Sequence, residues 1–397
     1  MLRTEDDWIR AGQEVFRYPI ALFPGLEQLA EFRGIIARSG VPPAADGTLP
    51  QLSIVVPAKG HPVMGFLSCA TCHTRVQPDG TVIEGAQGSV PDLLLGFPPV
   101  LDVARAWQRA LFRVPWIEND PVEQFRTMSM EQINAIKAAI PVGVVGRQGT
   151  SLFSPVQIPD LIGVKDLRYL DHTGLMLHRG SADLMRYAAL NQRADMLSDY
   201  MGYRPTAFLS GTDLKDNNVP PPETQERYSD VQLFALAKFL YALKPPVNPN
   251  RRTALSSRGE RIFAREERAH CHTPPLYTSN KLTPAHGFSV PEEHRTLYAI
   301  EDTVVGTDPT LTMRTRRGTG YYKVPSLRGV WYRGPFEHNG SVATLEDWFD
   351  RRRLRSDYIP TGYKGYGVTT RAVPGHPFGL TLSADDKAAL IAFLKTL

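Results

Sequence analysis

Residues 69–73 read Cys69-Ala70-Thr71-Cys72-His73. Only one other cysteine occurs in the 397-residue chain, Cys271, and it too is followed by a histidine, His272. Nothing else in the sequence constrains the fold as strongly. Two thiols three residues apart lie on one side of a helical turn, and the next imidazole reaches a metal held beside them. This is the attachment pattern of a c-type haem: the thiols add to two vinyl groups and the histidine meets the iron from one face. A thioredoxin-like redox pair needs a βαβ context, and none is read here. A zinc site needs two further ligands, and one cysteine remains.

The second site is degenerate. Arg268-Ala269-His270-Cys271-His272 has arginine where the first cysteine should stand. The expectation is a haem c held through Cys271 alone, with His272 on the iron. A haem held by coordination and packing, or an empty site, are the competing readings. Two haems are expected in all.

A repeat runs through the chain. Ser229 leads Phe239, and Ser383 leads Phe393, each followed by leucines at matching offsets. Both serines suit helix N-caps before apolar residues at helical spacing. Arg10–Phe16 (RAGQEVF) likewise resembles Ser257–Phe263 (SRGERIF). The repeat and the stiff KPPVNPN stretch predict two domains, 1–247 and 248–397, with an insertion at about 17–60 in the first. The predicted class is mainly α, with two cytochrome c-like helical haem domains, long irregular loops and no run of alternating strands.

The net charge of +4 is too small to point to nucleic acid, and no apolar run is long enough to span a membrane. The N-terminus carries acidic residues where a signal peptide needs its apolar core. Haem attachment of this type happens in an oxidising compartment outside the bacterial cytoplasm. The expected location is therefore periplasmic or exported, with the leader absent from the sequence given.

GERIF followed by HCHTPP, the block Gly318–Phe349 (GTGYYKVPSLRGVWYRGPFEHNGSVATLEDWF) and the closing helix resemble the bacterial dihaem cytochrome c peroxidase superfamily. That superfamily includes the dihaem oxidase of methylamine utilisation and the dihaem rubber oxygenase. The likeness is strongest over 257–397; residues 155–174 match more loosely.

The resemblance implies proximal ligands His73 and His272 and a peroxide-reducing haem fed by a second, electron-relaying haem. His338 matches the family histidine near the domain interface. Arg328 is the candidate propionate partner. No methionine follows TLED, so His376, in a glycine- and proline-bounded loop, is the candidate second ligand at His272, with Met313 and His338 behind it. His172 and His178 are the candidate distal ligands or acid–base groups of the first haem. Tyr169 stands where relatives carry a bridging tryptophan, and Asp195 where they carry a catalytic glutamate. The arginine runs 312–318 and 350–355 offer partners for haem propionates or for an anionic redox protein, with a solvated face as the usual reading of such runs. The implied partners are a small cytochrome or cupredoxin as electron donor and peroxide or dioxygen as oxidant; some relatives also hold calcium between the domains. The alternatives are a dioxygen-using or substrate-oxidising enzyme and a pure electron-transfer cytochrome.

Overall fold

Thr4, Ser229, Thr253 and Ser383 each start a helix, and each side-chain hydroxyl accepts the backbone N–H three residues on. Each cap satisfies one of the orphan donors of a helix start, which fixes the boundary where a small polar residue precedes an amphipathic run. The computed structural model describes residues 2–19, 21–24, 26–91, 127–146, 154–191, 228–266 and 268–397.

The N-terminal half runs α1 (Glu5–Arg17), β1 (Ala21–Pro24), α2 (Glu27–Arg38), β2 (Ser53–Ala58), β3 (His61–Phe66), α3 (Cys69–Cys72), β4 (Thr74–Val76) and β5 (Val82–Glu84). It continues with α4 (Met130–Ala138), β6 (Val144–Val145), β7 (Val156–Gln157), β8 (Tyr169–Leu170), β9 (Met176–Leu177), α5 (Ser181–Asn191) and α6 (Asp230–Ala242). The C-terminal half runs α7 (Ala254–Arg265), α8 (Arg268–Cys271), β10 (Leu282–Pro284), α9 (Glu292–Leu297), α10 (Thr310–Arg314), β11 (Tyr321–Lys323), α11 (Leu345–Trp348) and α12 (Ala384–Leu394). With 35% helix and 11% strand, the chain is mainly helical with small sheets.

Each half is built on one close helix crossing. A Cβ placed on Gly12 of α1 would stand 1.9 Å from the Ala235 carbonyl oxygen of α6, and one on Gly259 of α7 would stand 1.9 Å from that of Ala389 in α12. Beside each glycine, two phenylalanines lock the pair. Phe16 meets Phe239 at 5.2 Å and 54°, and Phe263 meets Phe393 at 5.4 Å and 56°. Gly12, Phe16, Ala235 and Phe239 thus correspond in register to Gly259, Phe263, Ala389 and Phe393. Apolar side chains extend both crossings into cores, with Leu236, Leu240 and Met185 in the first and Leu390, Leu345 and Phe349 in the second.

Strands depart from the helix-and-loop expectation. Residues within the expected insertion form β1, α2 and β2, and β3 joins β1 and β2 in an antiparallel sheet of order β1-β3-β2. Lys59 and Gly60 close the β2–β3 hairpin, with Ala58 opposite His61 and Gly60 at φ +80°. These strands are four to six residues long, and pairing rather than local pattern defines them.

The two halves are hydrogen-bonded to each other through main chain. Lys323 N–H donates to the His172 carbonyl at 2.9 Å, and Gln157 N–H to the His338 carbonyl at 2.8 Å. No described helix is long and apolar enough to cross a membrane.

Candidate functional site

Ser68 and Thr71 shape the first cysteine site. The Ser68 hydroxyl accepts the Thr71 N–H at 3.1 Å, and the Thr71 hydroxyl accepts the Ser68 N–H at 2.9 Å and donates to the Gln51 carbonyl at 3.0 Å. This reciprocal cap winds residues 69–72 into a single turn. Cys72 is buried and Cys69 half-buried. His73 follows at the C-cap, and its Nδ1 lies 3.1 Å from the Pro159 carbonyl oxygen. A carbonyl only accepts, so Nδ1 carries the proton and Nε2 holds the lone pair. That tautomer is the one a metal-ligating histidine needs.

The second site reproduces this lock. His272 Nδ1 lies 3.1 Å from the Tyr277 carbonyl oxygen, which again leaves the lone pair on Nε2. The ring of His376 lies beside it, with centroids 6.3 Å apart and planes tilted by 54°. Two metal–nitrogen bonds of about 2 Å, with the two ring radii added, come to about 6 Å, a span close to that separation. Cys271 lies beside His272; burial, and then the carboxylate of Glu301, push its thiol pKa upward.

These residues fit a haem at both places. Cys69, Cys72 and His73 offer two sulfurs and one imidazole; Cys271, His272 and His376 offer one sulfur and two imidazoles. Among the described residues no group of three or more His, Cys, Asp or Glu is placed to hold a metal ion by itself.

Between the halves lies a buried polar cluster. Asp171 accepts from the Arg316 Nε at 2.8 Å and from the Tyr187 hydroxyl at 2.7 Å. Burial opposes its ionisation, but Arg316 and then His172 hold its carboxyl well below the usual range. His172 donates from Nε2 to the Gln157 carbonyl at 2.7 Å. Burial, aided by the Lys323 charge, lowers its pKa to about 4, so it is neutral at pH 7. Lys323, itself lowered to about 8 by burial against the pull of Asp171, completes the cluster.

On the other side of Gln157, His338 Nδ1 pairs with Glu337 at 2.5 Å, and its ring stacks on Tyr322 at 4.7 Å. The main chain of Gln157 therefore joins His172 to His338, one from each half.

The other predicted residues are distributed more widely. Tyr169 is buried with Leu282 and Tyr321 where the halves meet, and its hydroxyl accepts the Ala299 N–H at 2.9 Å. His178 has both ring nitrogens engaged: Nδ1 donates to the Leu167 carbonyl and Nε2 accepts from the Tyr241 hydroxyl, each at 2.6 Å. Arg328 is exposed. Met313 packs toward Val156 and Tyr322. Asp195 lies outside the described residues.

The arginine runs are not uniformly solvated faces as expected. Arg316, Arg317 and Arg353 are buried, while Arg351 and Arg352 are exposed. Sequence reasoning passed over Asp171, Glu337, Arg316, Lys323 and Arg353. Asp171 and Arg316 are marked only by each other, 145 residues apart, whereas Glu337 pairs with the adjacent His338.

No known family's sequence model matches the chain. An uncharacterised protein, y4iJ, of Sinorhizobium fredii is 35% identical over 105 residues, covering 19% of this chain and 18% of that protein's length. Among solved structures, Kuenenia stuttgartiensis hydrazine synthase overlaps at a TM-score of 0.33 and 16% identity, over 62% of this chain and 73% of that one. A MauG-like protein associated with microbial copper homeostasis overlaps at a TM-score of 0.33 and 19% identity, over 61% and 73%.

Proposed function

We propose that the chain is a periplasmic or exported dihaem c-type cytochrome of peroxidase type, with domains 1–247 and 248–397. The observation that carries this reading is the twinned histidine lock. His73 and His272 each follow a cysteine, and each ties Nδ1 to a backbone carbonyl at 3.1 Å. His178 makes the same Nδ1–carbonyl bond, so what sets His73 and His272 apart is the pairing of that bond with a cysteine immediately before the ring.

Cys69 and Cys72 would hold one haem by two thioethers with His73 on the iron. Cys271 would hold the other by one, between His272 and His376. When bound, the haems supply the one-electron relay from a small cytochrome or cupredoxin to peroxide. The chain's own residues supply the proton handling. His172, neutral at pH 7, fixes its Nε2 proton on the Gln157 carbonyl and so offers Nδ1 as an acceptor. Asp171, anchored by Arg316 and Tyr187, keeps a negative charge beside that ring. Tyr169 and Tyr321, buried in one cluster with Leu282, would form the aromatic bridge between the halves.

The test is a pyridine haemochrome spectrum per chain after expression with a leader in a host that matures c-type cytochromes. The expected result is two haems, one with the band of a single thioether, and peroxide-dependent oxidation of a reduced small cytochrome. A protein that matures without any haem refutes the reading; one two-thioether haem per chain refutes its second site.

A further inference from the structure

We infer that Arg353 is a positioning residue that holds His376 opposite His272, so that the second haem site carries a histidine on each side. This rests on the reading of Cys271 and His272 as a haem site. Arg353 sits in the one-turn 3-10 helix Arg351–Leu354 and is 2% exposed. Among the described residues its guanidinium hydrogen-bonds to backbone carbonyls and to no carboxylate. Nε donates to Trp348 at 3.0 Å, Nη1 to Val373 at 2.7 Å, and Nη2 to both Gly375 and His376 at 2.9 Å. Three of those carbonyls belong to the segment that carries His376. In return, the Val373 N–H donates to the Arg353 carbonyl at 2.6 Å.

The segment needs this restraint. His376 adopts φ +47°, a left-handed backbone that a residue with a Cβ keeps only where its surroundings impose it. Gly375 beside it stands at φ +85°, and a Cβ there would approach the Thr307 nitrogen to 2.4 Å. The far side is tied by the His376 N–H, which donates to the Val305 carbonyl at 2.7 Å. The ring itself is braced by Trp348 at 5.2 Å and Phe378 at 5.3 Å. The Trp348 ring also carries the Arg353 guanidinium, 5.4 Å from its centroid. One buried cation therefore fixes both the main chain of the ligand and the aromatic wall against which its ring rests. A planar guanidinium reaches several carbonyls at once, and an ammonium does not.

The experiment uses the full-length matured protein and compares the wild type with Arg353→Met, Arg353→Lys and His376→Ala. Haem content comes from pyridine haemochrome, and ferric spin state from the optical and electron paramagnetic resonance spectra. Loss of the low-spin signal of one haem is expected in His376→Ala and of most of it in Arg353→Met, with haem content unchanged. Added imidazole should restore the signal in both. Arg353→Lys should fall between wild type and Arg353→Met, and it carries the test if the methionine variant does not fold. Two haems with an unchanged low-spin signal in both Arg353 variants overturns the inference and leaves the haem site standing. An unchanged signal in His376→Ala overturns it as well. One haem in the wild type instead removes the reading beneath it.

Discussion

Replacing Gly259 by alanine isolates the helix crossing from every question about cofactor. In an exposed helix interior this change is stabilising by about 0.5–1 kcal/mol, because alanine loses less backbone freedom on folding. At Gly259 the new Cβ would stand 1.9 Å from the Ala389 carbonyl oxygen and 2.8 Å from the Phe393 Cβ. Ordinary contact begins at 3.4 Å, so α7 and α12 must part by about 1.5 Å, and the obstacle is main chain that cannot rotate away. Overpacking of this kind costs about 1–3 kcal/mol, and a backbone obstacle belongs at the top of that range. The net loss expected is about 2 kcal/mol, or a fall of roughly 4–8 °C in Tm for a unit of about 150 residues. Thermal unfolding followed by circular dichroism checks this, with Gly34→Ala as the control. A Cβ at Gly34 of α2 meets only the end of the flexible Arg38 side chain, so that variant should hold or gain stability. If Gly259→Ala matches the control, the close crossing does not govern the fold.

Three further outcomes follow from the same geometry. His172 takes up a proton below about pH 6.5 in the unfolded chain but only below about 4 in the folded one, so stability should fall as pH drops through that window. At about 1.4 kcal/mol per pH unit the loss is roughly 3 kcal/mol, and His172→Gln should flatten the slope in denaturant titrations run at several pH values. Asp171→Asn leaves Arg316 buried beside a neutral amide and should cost about 3–5 kcal/mol by urea unfolding; a loss under 1 kcal/mol would mean that the pair carries little weight. Cys271→Ala should let acidified organic solvent extract the second haem while the haem at Cys69 and Cys72 stays on the chain, as a haem stain of the denatured protein would reveal.

The chain writes into its sequence whatever depends on neighbours a few residues apart. The Cys69–His73 signature, the serine caps at 229 and 383, and the phenylalanine ten residues after each cap are local patterns with fixed spacing. His376 has no such spacing to mark it; it is a candidate only because the resemblance leaves a ligand unassigned and its loop is bounded by glycine and proline.

Tertiary structure decided the rest, because burial and pairing are set by segments that meet only after folding. Three neighbouring arginines, Arg351 to Arg353, read alike in sequence, yet only Arg353 turns inward, since the carbonyls of Val373, Gly375 and His376 fold back onto it. Asp171 looks like an ordinary loop aspartate until Arg316, 145 residues away, closes on it. The β1-β3-β2 sheet likewise exists through pairing that no short window contains. A charge or a short strand gains its role from its partner, and the partner is a property of the fold.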